Sequence, residues 1–210
     1  MLELLLIRHG ETLWNAGKIF RGRADIPLNE TGKRQAVLLG EYLKDETIDA
    51  VYTSPLARAE ETAARIAGPH QMKAVAVSDL TDMDFGEWQG KELDEISQKY
   101  KDLYRDWLNI PEQAAIPGGE SFARITGRIT RFMEEVKARH GNGKIVIVTH
   151  RVIVKLAICL LLEISNNHFW NFQVDTGSIT RFRITGAKAV LMTANETSPG
   201  KTLIANREDF

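Results

Sequence analysis

Four short apolar runs along the chain predict buried β-strands at residues 4–7, 49–52, 73–77 and 144–148. In each run the apolar residues are almost continuous, which is typical of strands that helices cover on both faces of a sheet. The segments between these runs carry apolar residues at helical spacing instead. Strands that alternate with helices in this way predict a layered α/β domain.

Two helices are predicted between the first three strands. An apolar stripe over residues 36–43 follows Asn29, a residue type that favours helix N-caps. A second stripe, over residues 56–67, follows Ser54 as the expected N-cap and Pro55 at the first helical position, where proline is tolerated. Each helix is therefore expected to begin directly after a polar capping residue.

The second half of the chain combines a helix pattern with a hairpin pattern. An apolar stripe over residues 122–136 follows a Pro-Gly-Gly turn and predicts a long helix. Two alternating segments within residues 179–193, separated by Thr185 and Gly186, predict an antiparallel hairpin. From about Glu196 onward, the composition predicts a loosely attached tail.

The length, amino-acid composition and net charge of the chain limit the classes of protein that it can belong to. The chain has 210 residues, of which 43% are hydrophobic and 26% charged, as expected for one globular domain with a substantial core. A net charge of -1 provides no overall field toward nucleic acid or membranes, so we expect neither as a partner. Any anion site must come from local clustering of basic residues.

The lone Cys159 lies in an apolar stretch and is expected to be a small buried side chain. A single cysteine excludes an intrachain disulfide framework. The N-terminal apolar run ends at Arg8, too early for the core of a secretory signal. We therefore expect a cytoplasmic protein.

Histidine and arginine residues follow two of the predicted strands directly. The first strand runs into Arg8 and His9, and the strand at 144–148 leads to His150 and Arg151. Ligands of open α/β sheets bind outside the carboxyl ends of the strands. One such histidine is more often structural than catalytic, but two, each beside an arginine, favour a functional site.

Arg58 and an acidic loop add to this site. Arg58 lies in the first turns of a predicted helix and leans back toward its N-terminus, although a surface ion pair with Glu61 is the alternative. The loop at 79–90 combines carboxylates with aromatic residues and glycines, which favours a fixed loop that holds one carboxyl group. Arginines and imidazoles around one point suit a phosphoryl group, and a carboxyl group can protonate its leaving oxygen.

Six ordered segments resemble the motifs of the histidine phosphatase superfamily, the phosphoglycerate mutase-like proteins. They are RHGETLWN (8–15), FRGRADIPLNETGKRQA (20–36), TSPLARAEETA (53–63), DMDFGEWQG (82–90), PGGES (117–121) and IVTH (147–150). The resemblance implies one catalytic domain with a three-layer αβα sandwich and a mostly parallel sheet that ends in an antiparallel hairpin. It also implies that no metal or other cofactor is required.

The resemblance assigns roles to individual residues. His9 would be the nucleophile that forms a phosphohistidine, with its second ring nitrogen bonded to a backbone carbonyl. Arg8, Arg58 and His150 would complete the phosphate pocket. The residues at family contact positions for phosphate or substrate are Asn15, Arg21 and Gly22. Gly10 is expected to let the backbone approach the phosphate closely.

Two positions depart from the family pattern. The family acid is commonly glutamate at the position of Asp82, so Asp84 and Glu87 remain alternatives. A small residue commonly follows the second histidine, where this chain has Arg151. Arg151 could bind a substrate carboxylate or phosphate, or point outward; we favour binding.

The segment at 91–116 is expected to be a compact helical cap, whose apolar stripe from Leu93 to Trp107 packs on the core. A short cap admits water and favours hydrolysis of a small phosphorylated substrate. We therefore expect a phosphomonoester phosphatase similar to the broad-specificity and α-ribazole phosphatase branch, as a monomer or homodimer. The alternatives are a cofactor-dependent phosphoglycerate mutase and a non-catalytic protein that binds phospho-ligands.

Overall fold

The computed structural model describes residues 1–197 and contains one six-stranded sheet with the order β3-β2-β4-β1-β5-β6. The strands are β1 (Leu2–Arg8), β2 (Ala50–Thr53), β3 (Val75–Ala76), β4 (Gly143–Thr149), β5 (Ile179–Thr185) and β6 (Lys188–Glu196). The first four strands are parallel, whereas β5 and β6 form an antiparallel hairpin beside β1. This topology confirms the predicted mostly parallel sheet with a C-terminal hairpin.

Helices cover both faces of the sheet. They are α1 (Leu13–Ala16), α2 (Glu30–Leu43), α3 (Ala57–Ala67), α4 (Leu93–Lys99), α5 (Lys101–Asn109), α6 (Phe122–His140) and α7 (Arg151–Leu161). Along β1, Leu5 and Ile7 pack against α2 and α3, while Leu4 and Leu6 belong to the core under α6 and α7. Because successive strand residues point to opposite faces, one strand serves both cores, and the three-layer αβα sandwich is confirmed.

The third strand differs from its prediction. Within the predicted run only Val75 and Ala76 form a strand; both are exposed, and they pair with β2. The expectation of a strand over 73–77 that is covered on both faces was therefore wrong. The reason is position: β3 is the edge of the sheet and pairs with a neighbouring strand on one side.

The start of α3 also differs from its prediction. Asn29 caps α2 as expected, accepting a hydrogen bond of 2.8 Å from the N–H of Gly32. By contrast, α3 has Leu56 at its N-cap and begins at Ala57, so Ser54 is not the cap and Pro55 is not the first helical residue. The buried Ser54 hydroxyl contacts His150 and accepts from the N–H of Leu56, the residue before α3.

The segment at 91–116 forms α4 and α5, which meet at Tyr100. Its buried Ile96 and Trp107 join the main core, so the predicted packing role of its apolar stripe is confirmed.

Cys159 is buried as expected. Glu196 ends β6, and the remainder of the predicted tail, from 198 onward, lies outside the described residues. No helix within residues 1–197 is long and apolar enough to cross a bilayer.

Candidate active site

The two histidines meet because β1 and β4 are neighbouring parallel strands in register. Arg8 pairs with Thr149 at the ends of these strands, so the next residues, His9 and His150, lie side by side. Their ring centroids are 5.1 Å apart, and the backbone N–H of His9 donates to the carbonyl of Thr149 at 3.0 Å. The predicted meeting of the two strand ends at one rim of the sheet is therefore observed.

His9 is buried and held by its own neighbour in the chain. Its Nδ1 lies 2.6 Å from the carbonyl oxygen of Gly10. A carbonyl only accepts hydrogen bonds, so Nδ1 carries the proton and Nε2 carries the lone pair. Burial, reinforced by the charges of Arg58 and Arg8, lowers the pKa of His9 well below 6.5. The imidazole is therefore neutral at neutral pH, with the backbone hydrogen bond that the sequence predicted.

Gly10 must be glycine for a packing reason that the sequence did not reveal. A Cβ at this position would lie 2.5 Å from the carbonyl oxygen of Gly32, at the start of α2. Two backbone segments of the protein therefore approach each other closely at Gly10, and the expected approach of this backbone to phosphate stays a prediction.

Arg58 is fully buried and directed at the rim of the sheet. Its guanidinium donates to the carbonyls of Ala24 at 2.7 Å and Gly22 at 2.8 Å, and it lies 3.4 Å from Oδ2 of Asp82. It therefore does not form the alternative surface pair with Glu61. Burial lowers the pKa of Arg58, and the nearby Asp82 carboxylate opposes this shift.

Only one of the three candidate carboxyl groups faces this cluster. Oδ2 of Asp82 lies 3.4 Å from Arg58 and 3.7 Å from Nδ1 of His150. Asp84 instead accepts from the N–H of Gly86 at 2.9 Å. Glu87 accepts from the hydroxyl of Tyr100 at 2.7 Å. Of the three candidate acids, Asp82 is therefore the one whose carboxyl group lies beside His150 and Arg58.

His150 is fully buried, with Nε2 2.8 Å from the hydroxyl oxygen of Ser54. Burial and the charge of Arg58 lower the pKa of His150 well below 6.5, and the neighbouring His9 adds to the shift. The site therefore contains two neutral imidazoles beside arginine charges. Sequence reasoning treated Ser54 only as a helix cap and missed its contact with His150.

The loop that carries Asp82 is held by a second buried arginine, which sequence reasoning also missed. Arg128 of α6 makes a two-point contact with Glu120, both distances being 3.1 Å. It also donates to the carbonyl oxygens of Asp79 and Asp82, the latter at 3.3 Å. A glutamate in the PGGES turn, with an arginine two turns into the next helix, was the available signal. These contacts of Arg128 with Glu120 and with the carbonyls of Asp79 and Asp82 form a clamp, the Arg128 clamp, that holds the Asp82 backbone in place.

Among the remaining predicted residues, Arg21, Gly22 and Arg151 line a cleft beside His9, whereas Arg8 and Asn15 are buried and are not part of its lining. Arg8 is buried and donates to the carbonyl of Val174 at 2.7 Å. Asn15 accepts from the N–H and hydroxyl of Thr12, both at 2.9 Å, in a capping box that starts α1. Arg21 lies 3.2 Å from the carbonyl of Trp14. A cleft of about 390 Å³, including the solvent at its mouth, is lined by His9, Lys18, Ile19, Phe20, Arg21, Gly22, Asp82, Phe85, Arg151 and Val152.

Gly22 is a second constrained glycine in this cleft. Its φ of +52° is in the left-handed region, and a Cβ would lie 2.7 Å from Oε1 of Gln89. Its carbonyl oxygen accepts from Arg58. The chain therefore needs glycine here to bring that carbonyl to the guanidinium.

Arg151, the first residue of α7, faces the cleft rather than solvent. It is 7% exposed, and its guanidinium carbon lies 5.7 Å from the ring centroid of Trp170. The ammonium of Lys155, one turn along α7, lies 4.4 Å from the same ring. Cation–π contacts of this kind orient both side chains.

Comparison with known proteins identifies the family of this chain. The family model of the histidine phosphatase superfamily (branch 1) matches residues 4–197. The chain belongs to the histidine phosphatase superfamily. Over 197 residues it is 34% identical to phosphoserine phosphatase 1 of Hydrogenobacter thermophilus, covering 94% of this chain and 93% of that protein. Over 199 residues it is 30% identical to the adenosylcobalamin/alpha-ribazole phosphatase of Escherichia coli, covering 95% and 98%.

Solved structures agree with this membership. The alpha-ribazole phosphatase of Shigella flexneri superimposes with a TM-score of 0.83 and 31% identity, covering 92% of this chain and 96% of that one. A phosphoserine phosphatase mutant of Entamoeba histolytica, in complex with phosphoserine, gives a TM-score of 0.86 and 30% identity, covering 95% and 99%. The named activities of these superfamily relatives support phosphatase, and hence hydrolase, activity.

Proposed function

We propose that this protein is a phosphomonoester phosphatase that acts on small phosphorylated metabolites through a phosphohistidine intermediate. The observation that carries the proposal is the hydrogen bond from Nδ1 of His9 to Gly10. It places the lone pair on Nε2 of a neutral imidazole that lines the cleft. A neutral, oriented imidazole beside arginines is a nucleophile suited to phosphorus.

The first step transfers the phosphoryl group to His9. Nε2 of His9 attacks phosphorus while the bond from phosphorus to the ester oxygen breaks. The leaving oxygen takes a proton from the carboxyl group of Asp82, the candidate acid in contact with Arg58. The alcohol then departs, and the phosphoryl group remains on nitrogen.

The second step regenerates the enzyme. Water attacks phosphorus, the bond to Nε2 of His9 breaks, and the Asp82 carboxylate accepts the proton from water. Inorganic phosphate leaves and both residues return to their starting states. Two transfers with an oriented nucleophile replace one difficult hydrolysis.

The rest of the predicted set would bind the phosphoryl group. Arginine matches phosphate oxygens in a two-point geometry, and fixed donors stabilise the charge on the transferring group. The proposed phosphate- and substrate-binding residues are Arg8, Asn15, Arg21, Gly22, Arg58 and His150. No step requires a bound metal or cofactor.

Arg151 is proposed to bind a second anionic group of the substrate. Its place on the cleft wall, held against Trp170, supports this role. A carboxylate near the ester, as in phosphoserine, would suit a guanidinium there, whereas the α-ribazole phosphate of other relatives lacks one. We further propose a cytoplasmic monomer or homodimer whose helical cap, 91–116, admits water and so favours hydrolysis over isomerisation.

The direct test of the mechanism is hydrolysis of p-nitrophenyl phosphate in the presence of EDTA. We expect turnover in EDTA, and none in the variant His9→Ala. The matched control is His168→Ala, which removes an exposed histidine from the turn Asn166–Asn171. Activity that survives His9→Ala, or that requires a divalent metal, would refute the phosphohistidine mechanism.

A second assay separates the alternative functions. With 3-phosphoglycerate as substrate, a phosphatase releases phosphate, whereas a mutase forms 2-phosphoglycerate. Binding of phospho-ligands without either product would indicate a non-catalytic protein. A phosphate-release screen over sugar phosphates, phosphoserine, 3-phosphoglycerate and α-ribazole phosphate would then identify the preferred ester.

A further inference from the structure

The hydroxyl group of Ser54, the residue that follows β2, has two hydrogen-bond partners. Its oxygen accepts from the backbone N–H of Leu56 at 3.3 Å and lies 2.8 Å from Nε2 of His150. A serine hydroxyl has one hydrogen to donate and two lone pairs. Among residues 1–197, Nε2 of His150 is the remaining partner for that hydrogen. Ser54 is fully buried, so bulk solvent does not reach its hydroxyl group.

Two arrangements of the proton between these groups are possible, and they differ in what they leave unsatisfied. If Nε2 of His150 donated, the hydroxyl hydrogen of Ser54 would be buried without an acceptor, which is costly. If Ser54 donates instead, its hydroxyl hydrogen and the Nε2 lone pair of His150 satisfy each other. Nε2 then carries the lone pair, and the ring proton sits on Nδ1.

The other side of the His150 ring favours the same arrangement. Nδ1 has no hydrogen-bond partner in the described part of the chain and lies 3.7 Å from Oδ2 of Asp82. A lone pair on Nδ1 would repel a phosphoryl oxygen that approaches this nitrogen. A proton on Nδ1 would instead be donated to that oxygen.

We infer that the site holds its two histidines in opposite neutral tautomers, and that Ser54 sets the tautomer of His150. His9 carries its proton on Nδ1, bonded to Gly10, and offers the Nε2 lone pair. His150 carries its lone pair on Nε2, bonded to Ser54, and offers the proton on Nδ1.

The consequence for catalysis rests on the proposed function. One imidazole must attack phosphorus with a lone pair while the other donates to a phosphoryl oxygen, so two different tautomers are required. Burial supports this arrangement because it keeps both rings neutral, with the pKa of each lowered well below 6.5. Ser54 is therefore a positioning residue that acts through His150.

The test is a long-range proton–nitrogen correlation spectrum of protein labelled with ¹⁵N-histidine near neutral pH. His150 signals are assigned by their loss in His150→Gln. We expect a protonated Nδ1 and an unprotonated Nε2 on His150, and in Ser54→Ala a shift toward the other tautomer. The control Thr53→Val removes the adjacent buried hydroxyl, which donates to the Ser54 carbonyl at 3.1 Å, and should leave the spectrum unchanged.

Kinetics give a second readout. We expect kcat to fall by up to about 100-fold in Ser54→Ala, as for loss of one transition-state donor, with KM little changed. Ser54→Cys, close to serine in size but a weak donor, serves if the alanine variant does not fold. A protonated Nε2 on wild-type His150, or a tautomer that Ser54→Ala leaves unchanged, would overturn the inference. A wild-type protein with opposite tautomers but no turnover would refute the proposed function alone.

Discussion

Oδ2 of Asp82 lies 3.4 Å from Nη2 of Arg58, and both side chains are buried at the rim of the sheet. The aspartate is one methylene shorter than the glutamate that the family commonly uses. The loop brings its carboxyl group to the guanidinium nevertheless, because the Arg128 clamp holds the Asp82 backbone. This relationship is the basis for testing the proposed general acid.

Asp82→Asn should slow alkyl phosphates far more than p-nitrophenyl phosphate. An alkoxide needs a proton as it leaves, whereas p-nitrophenolate leaves readily without one. We expect a loss of about 100-fold or more on the alkyl ester, the usual contribution of general acid catalysis. Rates on both esters are compared for the variant and wild type, with Asp84→Asn as the control. Equal losses on the two esters would mean that Asp82 is not the acid.

Arg151→Gln should weaken binding of esters that carry a carboxylate. Losing a charge-assisted hydrogen bond should raise KM for phosphoserine roughly 10-fold to 100-fold. KM for p-nitrophenyl phosphate, which lacks a carboxylate, should change little. Arg105→Gln, which removes an exposed arginine of α5, is the matched control. A similar rise in KM for both esters would place Arg151 at the phosphate instead.

The buried histidines should make the protein less stable in mild acid. The pKa values of His9 and His150 lie well below 6.5 in the folded state. The unfolded chain therefore binds more protons below about pH 6.5, and stability falls as pH decreases toward the folded-state values. The slope is at most about 1.4 kcal/mol per pH unit for each histidine. Urea unfolding across this range should show a shallower slope in the double variant His9→Gln/His150→Gln, and an unchanged slope would contradict the shifts.

Two arginines of α6 contact the loop at Asp79 but should differ in importance. Arg128→Met removes the buried partner of Glu120, which keeps only the half-exposed Arg23 at 3.3 Å among the described residues, and should lower the free energy of unfolding by up to about 3–5 kcal/mol. Arg131 makes an exposed pair with Asp79 at 2.8 Å, so Arg131→Gln should leave the urea midpoint almost unchanged. Equal midpoints for the two variants would show that the buried clamp is unimportant.

Gly10→Ala should destabilise the protein because its Cβ would collide with the backbone of Gly32. Overpacking of this kind costs about 1–3 kcal/mol, and displacing the Gly10 carbonyl should also lower turnover through His9. Gly127→Ala is the control, since that glycine lies inside α6 with nothing within 4 Å of its Cβ position. It should raise stability by up to about 1 kcal/mol. A tolerated Gly10→Ala would show that α2 can move.

The sequence predicted those features of the fold and the site that depend on neighbouring residues in the chain, and it missed those that depend on distant ones. The strand ends at Arg8 and His150 could be identified because apolar runs stop there. The edge strand β3 could not, since a run of apolar residues looks the same at the centre and the edge of a sheet. Ser54 resembled a helix cap because its local sequence allows that role, and only a residue 96 positions away reassigns it.

By itself, the sequence determined the alternation of strands and helices, the two histidine strand ends and the family motifs, because periodicity and short motifs are properties of neighbouring residues. The tertiary structure decided which carboxyl group meets Arg58, why Gly10 must be small, and that Arg151 faces the cleft. It also placed Ser54 against His150. These are contacts between segments far apart in the chain, set by strand order and by packing between layers. No local pattern encodes them.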